Sequence, residues 1–257
     1  MSDLIRMEFA KVVRLPSVRF TLVLLILVPF LWAYAPGIYD VYGFFLVSGY
    51  QVPALGLLSG MEFLLPLLVA ITSAELLGIE MTYGTLPTVL LRPVTRAKWL
   101  AAKLVVAAAY PFMVLSFFLV ISLLVGAPHG YGSFVGGTGL GSGGLLGEGV
   151  MQPLAALAQL FRAYLIAGIS LIPIGLLAML FTVVFMSAAG GALATLSTLI
   201  IMQLLVVFPW LEPYLLTAHL SAYSAPVGNL GWVITLIIFY CMLFAALAVV
   251  LFERKDF

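Results

Sequence analysis

Long apolar stretches alternate with short polar ones along this chain. Six of the apolar stretches approach the length that a helix needs to cross a bilayer, about 20 residues, and they contain few charges. The pattern therefore predicts an all-α integral membrane protein with six transmembrane helices. The expected spans are residues 18–34, 52–77, 104–125, 163–186, 192–208 and 230–252.

The first residues follow a different pattern. Ile5, Phe9, Val12 and Val13 share one arc of a helical wheel, and the charged residues lie mostly opposite them. This is typical of an amphipathic helix that lies in the membrane interface. We expect residues 1–17 to form such a helix.

The composition agrees with a membrane protein. Hydrophobic residues make up 64% of the 257 residues and charged residues only 8%, whereas soluble domains are about a quarter charged. The chain therefore forms a single membrane domain, without room for an additional soluble catalytic domain. Its net charge of +1 does not indicate a nucleic-acid partner, and we expect none.

The charges are distributed unevenly between the two sides of the membrane. With six spans, both termini share one side, and of the eleven Lys and Arg residues only Arg162 falls on the other. Cations are enriched on the cytoplasmic side of membrane proteins. We therefore expect a multi-pass protein of the cell membrane with both termini in the cytoplasm.

Residues 78–103, here called the inner segment, separate spans two and three. They hold four of the Lys and Arg residues, Glu80, and glycine and proline among apolar side chains. A simple membrane anchor needs only cations, so it does not explain this length or the apolar interior. Apolar contacts with charges that set orientation are typical of a docking surface for another protein.

Two acids lie within the second span. Glu62 is far enough inside for its charge to be costly, so it either lines a substrate path or is a protonated acid bonded to a neighbouring helix. Both alternatives remain open from the sequence. Glu75 lies nearer the inner end, where we expect it to pair with an interfacial cation.

The segments on the outer face carry less chemistry. Residues 126–152 are rich in glycine and almost uncharged, which favours a flexible linker. Residues 153–162 could form a short interfacial helix. Residues 209–229 contain three prolines and could form a short helix that dips into the outer leaflet.

The sequence shows no catalytic centre. Residues 139–144 match G-x-G-x-x-G, but no strand precedes them and no Lys-Ser/Thr follows, so a phosphate site fails on context. Ser59 would need a histidine inside the bundle, whereas His129 and His219 fall in outer loops. Cys241 is the single cysteine, and no spacing suggests a metal site. We expect a protein that is not an enzyme.

The inner segment contains a spaced motif that ends at the third span. It reads Glu80-x-x-x-Gly84-Thr85-Leu86, then Leu91-Arg92-Pro93-Val94-Thr95-Arg96, then Lys103 at the start of the span. This motif resembles the signature of permease subunits of ABC-2 class ABC transporters, and the resemblance extends to the amphipathic first helix with Glu8 and Lys11, the six spans, the proline-broken outer segment and the charged tail. Pro87 departs from the family pattern, which more often has a basic or polar residue there. The resemblance implies that Glu80, with Glu75 as a second candidate, pairs with cations on the first helix or on a separate ATP-binding subunit.

This resemblance implies a division of labour between subunits. The inner segment would be a cytoplasmic coupling helix that docks on a separate ATP-binding subunit, which would hold ATP and magnesium, so this chain itself would have no cofactor. Two permease copies or homologues would form a dimer that encloses the substrate path, most simply as an exporter. The implied coupling residues are Glu75, Glu80, Gly84, Thr85, Arg92, Pro93 and Arg96, with Glu62 near the path.

Two other functions fit the same pattern of spans. An ion-driven secondary carrier would transport without an ATPase, and a membrane anchor or sensor would bind a partner without any path. The sequence leaves the substrate open, as well as the choice between homodimer and heterodimer.

Overall fold

The computed structural model describes residues 2–35, 46–84, 95–141, 144–145, 149–224 and 230–255. Helices dominate these residues, and two short strands pair on the outer side. The elements are α1 (Ser2–Val12), α2 (Pro16–Tyr34), α3 (Gln51–Ser59), α4 (Leu65–Thr82), α5 (Arg96–Gly126), β1 (Phe134–Val135), β2 (Val150–Met151), α6 (Pro153–Phe185), α7 (Ala188–Leu205) and α8 (Leu230–Glu253).

The prediction of an all-α membrane protein with six spans is confirmed. Within the described residues, six helical stretches are long and apolar enough to cross a membrane. They are α2, α3 with α4, α5, α6, α7 and α8. A π-helical turn at Gly60–Leu64 joins α3 to α4 without breaking the span.

Helix α6 lies at the centre of the bundle. It packs against α4, α5, α7 and α8, and small residues on its surface allow close approach. A Cβ added at Gly175 would lie 2.9 Å from Ser73 Oγ of α4. By contrast, α2, α7 and α8 leave large apolar faces exposed, as expected for helices that contact lipid or another membrane protein.

Helices α4 and α7 approach most closely near one end of the bundle. A Cβ added at Gly78 would lie 2.6 Å from the Cα of Ala188, so no larger residue fits without displacing a backbone. Ser187 caps α7 through its side chain, and Met186 adopts the left-handed conformation that ends α6. The turn between α6 and α7 is therefore very short.

The helices extend further into the inner segment than the predicted spans. Helix α4 continues to Thr82 and α5 begins at Arg96, where the Thr95 side chain accepts a hydrogen bond from Lys98 N. The charge of Glu80 near the end of α4 is compensated by partners that are described below, so it does not force the chain out of the helix. Thr85, Arg92 and Pro93 lie outside the described residues.

The outer segments differ from the expectations. Residues 153–162 are not a separate interfacial helix but the first turns of α6, because Pro153 starts the helix and nothing interrupts it before Pro173. The described part of residues 126–152 is folded instead of an open linker. Phe134 pairs with Met151 across the strands, and Gln51 Nε2 donates to Gly137 O at 3.0 Å.

The proline-containing segment after α7 is a series of short turns. It forms 3-10 turns at Glu212–Tyr214, Thr217–His219 and Ala222–Ser224 in place of a single short helix. Thr217 and Tyr223 are buried against the bundle. The rest of the predicted segment, residues 225–229, lies outside the described chain.

Candidate functional site

Four charged residues from three elements meet at one end of the bundle. Lys11 Nζ of α1 lies 2.6 Å from Glu8 Oε1 and 2.7 Å from Glu80 Oε1 of α4. Lys103 Nζ of α5 lies 2.8 Å from Glu8 Oε2 and 3.2 Å from Glu80 Oε1. We call Glu8, Lys11, Glu80 and Lys103 the ion cluster. We call this end of the bundle the inner end. It also contains both ends of the described chain.

The ion cluster is largely removed from solvent. Lys103 is fully buried, and its ammonium also donates to Leu76 O at 2.8 Å and lies 4.9 Å from the centre of the Trp99 ring. Glu8 is also buried. Two cations and two anions cancel, so the cluster is electrically neutral. Buried charges of this kind are stable only while all their partners are present, because removal of one partner leaves another charge buried without compensation.

The cluster changes the proton affinities of the two residues on α1. Burial alone would raise the pKa of Glu8, but the neighbouring Lys103 and Lys11 ammonium groups outweigh it and lower that pKa. For Lys11, burial acts to lower the pKa, but hydrogen bonds to Glu8 and Glu80 outweigh it and raise that pKa. Both groups therefore hold their charge more strongly than usual.

The cluster connects three elements on both sides of the inner segment. Glu80 lies two residues before the end of α4, and Lys103 lies near the start of α5. These two helices flank residues 83–95 in sequence. Helix α1 therefore contacts both of the flanking helices through the cluster.

Arg96 lies at the same end of the bundle but outside the cluster. Its Nη1 donates to Lys255 O at 2.9 Å. Lys255 Nζ in turn donates to the carbonyls of Val183 and Val184, at 2.6 and 2.7 Å, where α6 ends. A cation is favourable at a helix C-terminus. The C-terminal tail is thus fixed between the start of α5 and the end of α6.

The other described residues predicted for coupling have separate positions. Gly84 has φ of +63°, and its amide donates to Met81 O, so it ends α4 in a conformation that suits glycine. Glu75 forms no ion pair with another described residue, and its Oε2 is buried there without a hydrogen-bond partner. Its pairing with an interfacial cation stays a prediction, since Arg92 lies outside the described residues.

Glu62 lines a cavity in the outer half of the bundle. The cavity has a volume of about 460 Å³ and is bounded by the π-helical turn, the end of α7 and the 3-10 turns that follow it. π-Helical turns occur frequently at functional sites. The polar side chains that line the cavity are Glu62, Gln203, Glu212, Thr217, Ser221 and Tyr223.

A smaller apolar cleft adjoins this cavity. It has a volume of about 110 Å³ and shares Glu62, Gln203, Thr217 and Leu220 with the larger space. Glu62 therefore lies where a space of mixed polar and apolar lining meets a mainly apolar one. The apolar lining of the cleft is Phe63, Pro66, Leu196, Leu199, Ile200 and Leu220.

The composition of the two sites was predictable only in part. The resemblance implied that Glu80 pairs with cations on the first helix or on an ATP-binding subunit, and Lys11 of α1 is such a cation. The contacts of Glu8 and the buried Lys103 with this pair were not predicted. The signal was present in part, since Glu8 and Lys11 are three residues apart on one helix face. Glu212 and Gln203 were not singled out, because nothing local in their sequence indicates that they meet Glu62.

The described residues contain no group of three His, Cys, Asp or Glu side chains placed to hold a metal ion. Ser59 Oγ accepts from Trp32 Nε1 at 2.9 Å and donates to Leu55 O at 2.9 Å. These contacts are those of a helix-packing serine.

Comparison with known families agrees with the fold. A family model described as "ABC-2 family transporter protein" matches residues 4–186. This range includes most of α1, the residues of the ion cluster, the inner segment and all of α6. No curated protein matches the chain in sequence.

Proposed function

Since the chain belongs to the ABC-2 transporter family, as a membrane-spanning permease subunit of an ABC transporter, we propose that it couples ATP hydrolysis in a separate subunit to export. In such transporters the ATP-binding subunit hydrolyses ATP, and the permease crosses the membrane. The inner segment docks on that subunit at the cytoplasmic face. The path runs past Glu62, and two permease copies or homologues enclose it in the cell membrane.

The ion cluster is the observation that supports this proposal. A docking segment transmits force only if its two ends are held rigidly. Glu80 and Lys103 hold the helices on either side of residues 83–95, and α1 braces both. In this scheme Glu80 and Gly84 set the end of α4, and Arg96 orients the start of α5. Thr85, Arg92 and Pro93 contribute to the contact, and Glu75 is a charge that becomes available to a partner cation.

Charge on the inner segment provides the first test. The full chain, purified in mild detergent with its co-expressed ATP-binding subunit, is compared with Arg92→Glu. Arg92 is preferable to Arg96, because Arg96 also holds the C-terminal tail. Arg254→Glu is the matched control, since Arg254 is exposed at the same end. We expect the ATPase to co-purify with the intact chain and with the control, but to be lost from a monodisperse Arg92→Glu variant.

Coupling is separated from docking by a second variant. Glu80→Gln keeps the shape of the side chain and removes its charge, so we expect the ATPase subunit to remain bound. We expect the rate of ATP hydrolysis by the ATP-binding subunit to change on assembly with the intact permease, but to stay the same on assembly with the Glu80→Gln variant. If an ATPase never co-purifies with the intact chain, the proposal is wrong, and transport by an ion gradient or a simple anchoring role takes its place.

A further inference from the structure

We propose that the cavity at Glu62 binds an amphipathic cation, with an ammonium group between Glu62 and Glu212 and an alkyl chain in the adjoining cleft. This inference rests on the proposed function, because it names the class of cargo for the path. It does not follow from membership of the family. The charge and shape of the lining carry it.

Among the described lining residues, the charged side chains are all negative. Glu62 and Glu212 both line the 460 Å³ cavity, and no Lys, Arg or His is among the described residues that line it. Neither carboxylate forms an ion pair with another described residue, since the ion pairs between described residues all belong to the cluster at the inner end. Glu62 lies within the second span, where an uncompensated charge is costly, and Glu212 faces the same cavity from the first 3-10 turn after α7. One cation between them would compensate both charges.

A third group points to a ligand independently of the two acids. Thr217 lines both spaces and is only 8% exposed, yet its Oγ1 has no hydrogen-bond partner among the described residues. Buried hydroxyl groups normally have a partner. A bound ligand or its water would supply one. Gln203, which also lines both spaces, adds a side-chain acceptor.

The shape of the site selects an amphipathic ligand. The larger space falls within the range of small-molecule sites, roughly 300–1,000 Å³, and has both polar and apolar side chains in its lining, whereas the adjoining cleft is mainly apolar, with Phe63, Leu199 and Ile200 in its wall. Glu62 lies at the boundary between them. A compact metal ion would leave the cleft unused, and a neutral lipid chain would leave both carboxylates uncompensated. An alkylammonium ion would compensate the carboxylates with its charge and fill the cleft with its alkyl chain.

Binding is measured with radiolabelled hexyltrimethylammonium as the probe. The full-length chain is reconstituted in nanodiscs of phosphatidylglycerol, a lipid without an ammonium group, and equilibrium dialysis against empty nanodiscs corrects for partition into lipid. We expect saturable binding that weakens by about tenfold or more in Glu62→Gln and in Glu212→Gln, since hydrogen bonds and contacts with charged groups contribute this much. Glu253→Gln, an exposed acid at the inner end, should bind as the intact chain does.

Two further arms define the ligand. Leu199→Trp fills the cleft, and we expect it to weaken hexyltrimethylammonium more than tetramethylammonium, which has no chain. Phosphatidylethanolamine in the nanodiscs tests the source of the ammonium group. Displacement of the probe indicates a lipid headgroup, and no displacement indicates a free amphiphile; both support the ammonium site.

Three results would overturn the inference. These are no saturable binding above empty nanodiscs, equal binding by both Gln variants and the intact chain, or equally effective competition by the uncharged hexanol. The same preparations are assayed for the co-purified ATPase. An ATPase that is retained without probe binding refutes only the cation site, whereas probe binding without any ATPase refutes only the coupling to ATP.

Discussion

The buried ammonium group of Lys103 lies 2.8 Å from the carboxylate of Glu8, 95 residues earlier in the chain. This contact fixes an interfacial helix to the start of a transmembrane helix. Because Lys103 is fully buried, the contact also sets a condition on stability. Neither charge can be removed alone without leaving the other in an apolar environment.

Removal of the Lys103 charge should therefore destabilise the fold. In Lys103→Met, Glu8 and Glu80 share the single ammonium of Lys11, and we expect the free energy of unfolding to fall by about 3–5 kcal/mol. Thermal denaturation in detergent measures the change. Lys98→Met is the control, since Lys98 is exposed on the same helix. Equal melting temperatures for the two variants would contradict the buried pair.

A double variant tests whether the two charges act together. Glu8→Gln combined with Lys103→Met leaves Lys11 and Glu80 as a neutral pair. We expect the double variant to be more stable than the sum of the single losses predicts, with a coupling of about 0.5–3 kcal/mol. Strict additivity in the same melting assay would show that the two side chains do not interact.

The pKa shifts on α1 predict how stability depends on pH. The pKa of Glu8 is lowered from 4.5, so its contribution is complete above that value and is lost as pH falls through the lower folded pKa. The pKa of Lys11 is raised from 10.5, so its contribution is complete below that value and is lost as pH rises through the higher folded pKa. Between pH 4.5 and pH 10.5, the contribution of these two groups to the free energy of unfolding is therefore constant.

Melting temperatures measured across pH check this window. Glu8→Gln removes the acid-side group, so we expect its melting temperature to fall less steeply below pH 4.5 than that of the intact chain. A steeper acid decline in the variant would reverse the assigned sign.

The contact between α4 and α7 predicts a sharp size limit. Gly78→Ala places a methyl group 2.6 Å from the Cα of Ala188, and overpacking of this kind costs about 1–3 kcal/mol. Gly231→Ala has no atom within 4 Å of the new methyl group and should be neutral or stabilising, because alanine favours a helix. Comparison of the two melting temperatures tests the contact. A stabilised Gly78→Ala variant would disprove it.

The C-terminal tail should protect the end of α6. In Lys255→Met, the carbonyls of Val183 and Val184 lose their ammonium donor, and we expect a local loss of about 1 kcal/mol. Hydrogen exchange at the Met186 amide, which donates to Thr182 O at 2.9 Å, should become faster. Arg254→Met is the matched control, and exchange that is equally fast in both variants would exclude a specific role for Lys255.

The spans were predictable because the bilayer imposes one strong condition on sequence. Any stretch that crosses it must be apolar over about 20 residues, and this can be read without knowing the packing. The residues at which the helices end were harder to predict. Helix α4 continues past the predicted limit to Thr82, because the charge of Glu80 is compensated by Lys11 and Lys103 from elsewhere in the chain.

The candidate sites were harder to predict than the spans, because they depend on contacts between residues that are far apart in the chain. Glu62 was identifiable because an acid within an apolar stretch is conspicuous. Glu212 and Gln203 were not, since ordinary polar residues near a membrane surface give no indication of their neighbours. The fold of residues 126–152 was also hidden, because the glycines that suggested a flexible linker include Gly136 and Gly139, whose positive φ values shape a compact turn.

The long sequence separation within the ion cluster also sets an order of assembly. During synthesis, Glu8 and Lys11 emerge well before Lys103, which follows Glu8 by 95 residues. At translation speeds of roughly 5–20 residues per second, the delay is on the order of 5–20 s. Until Glu80 and Lys103 have emerged, these two charged groups have only each other, lipid headgroups and water as partners. Completion of the ion cluster thus requires the start of the third span, so the cluster can fix α1 to the bundle only after that span has begun to form.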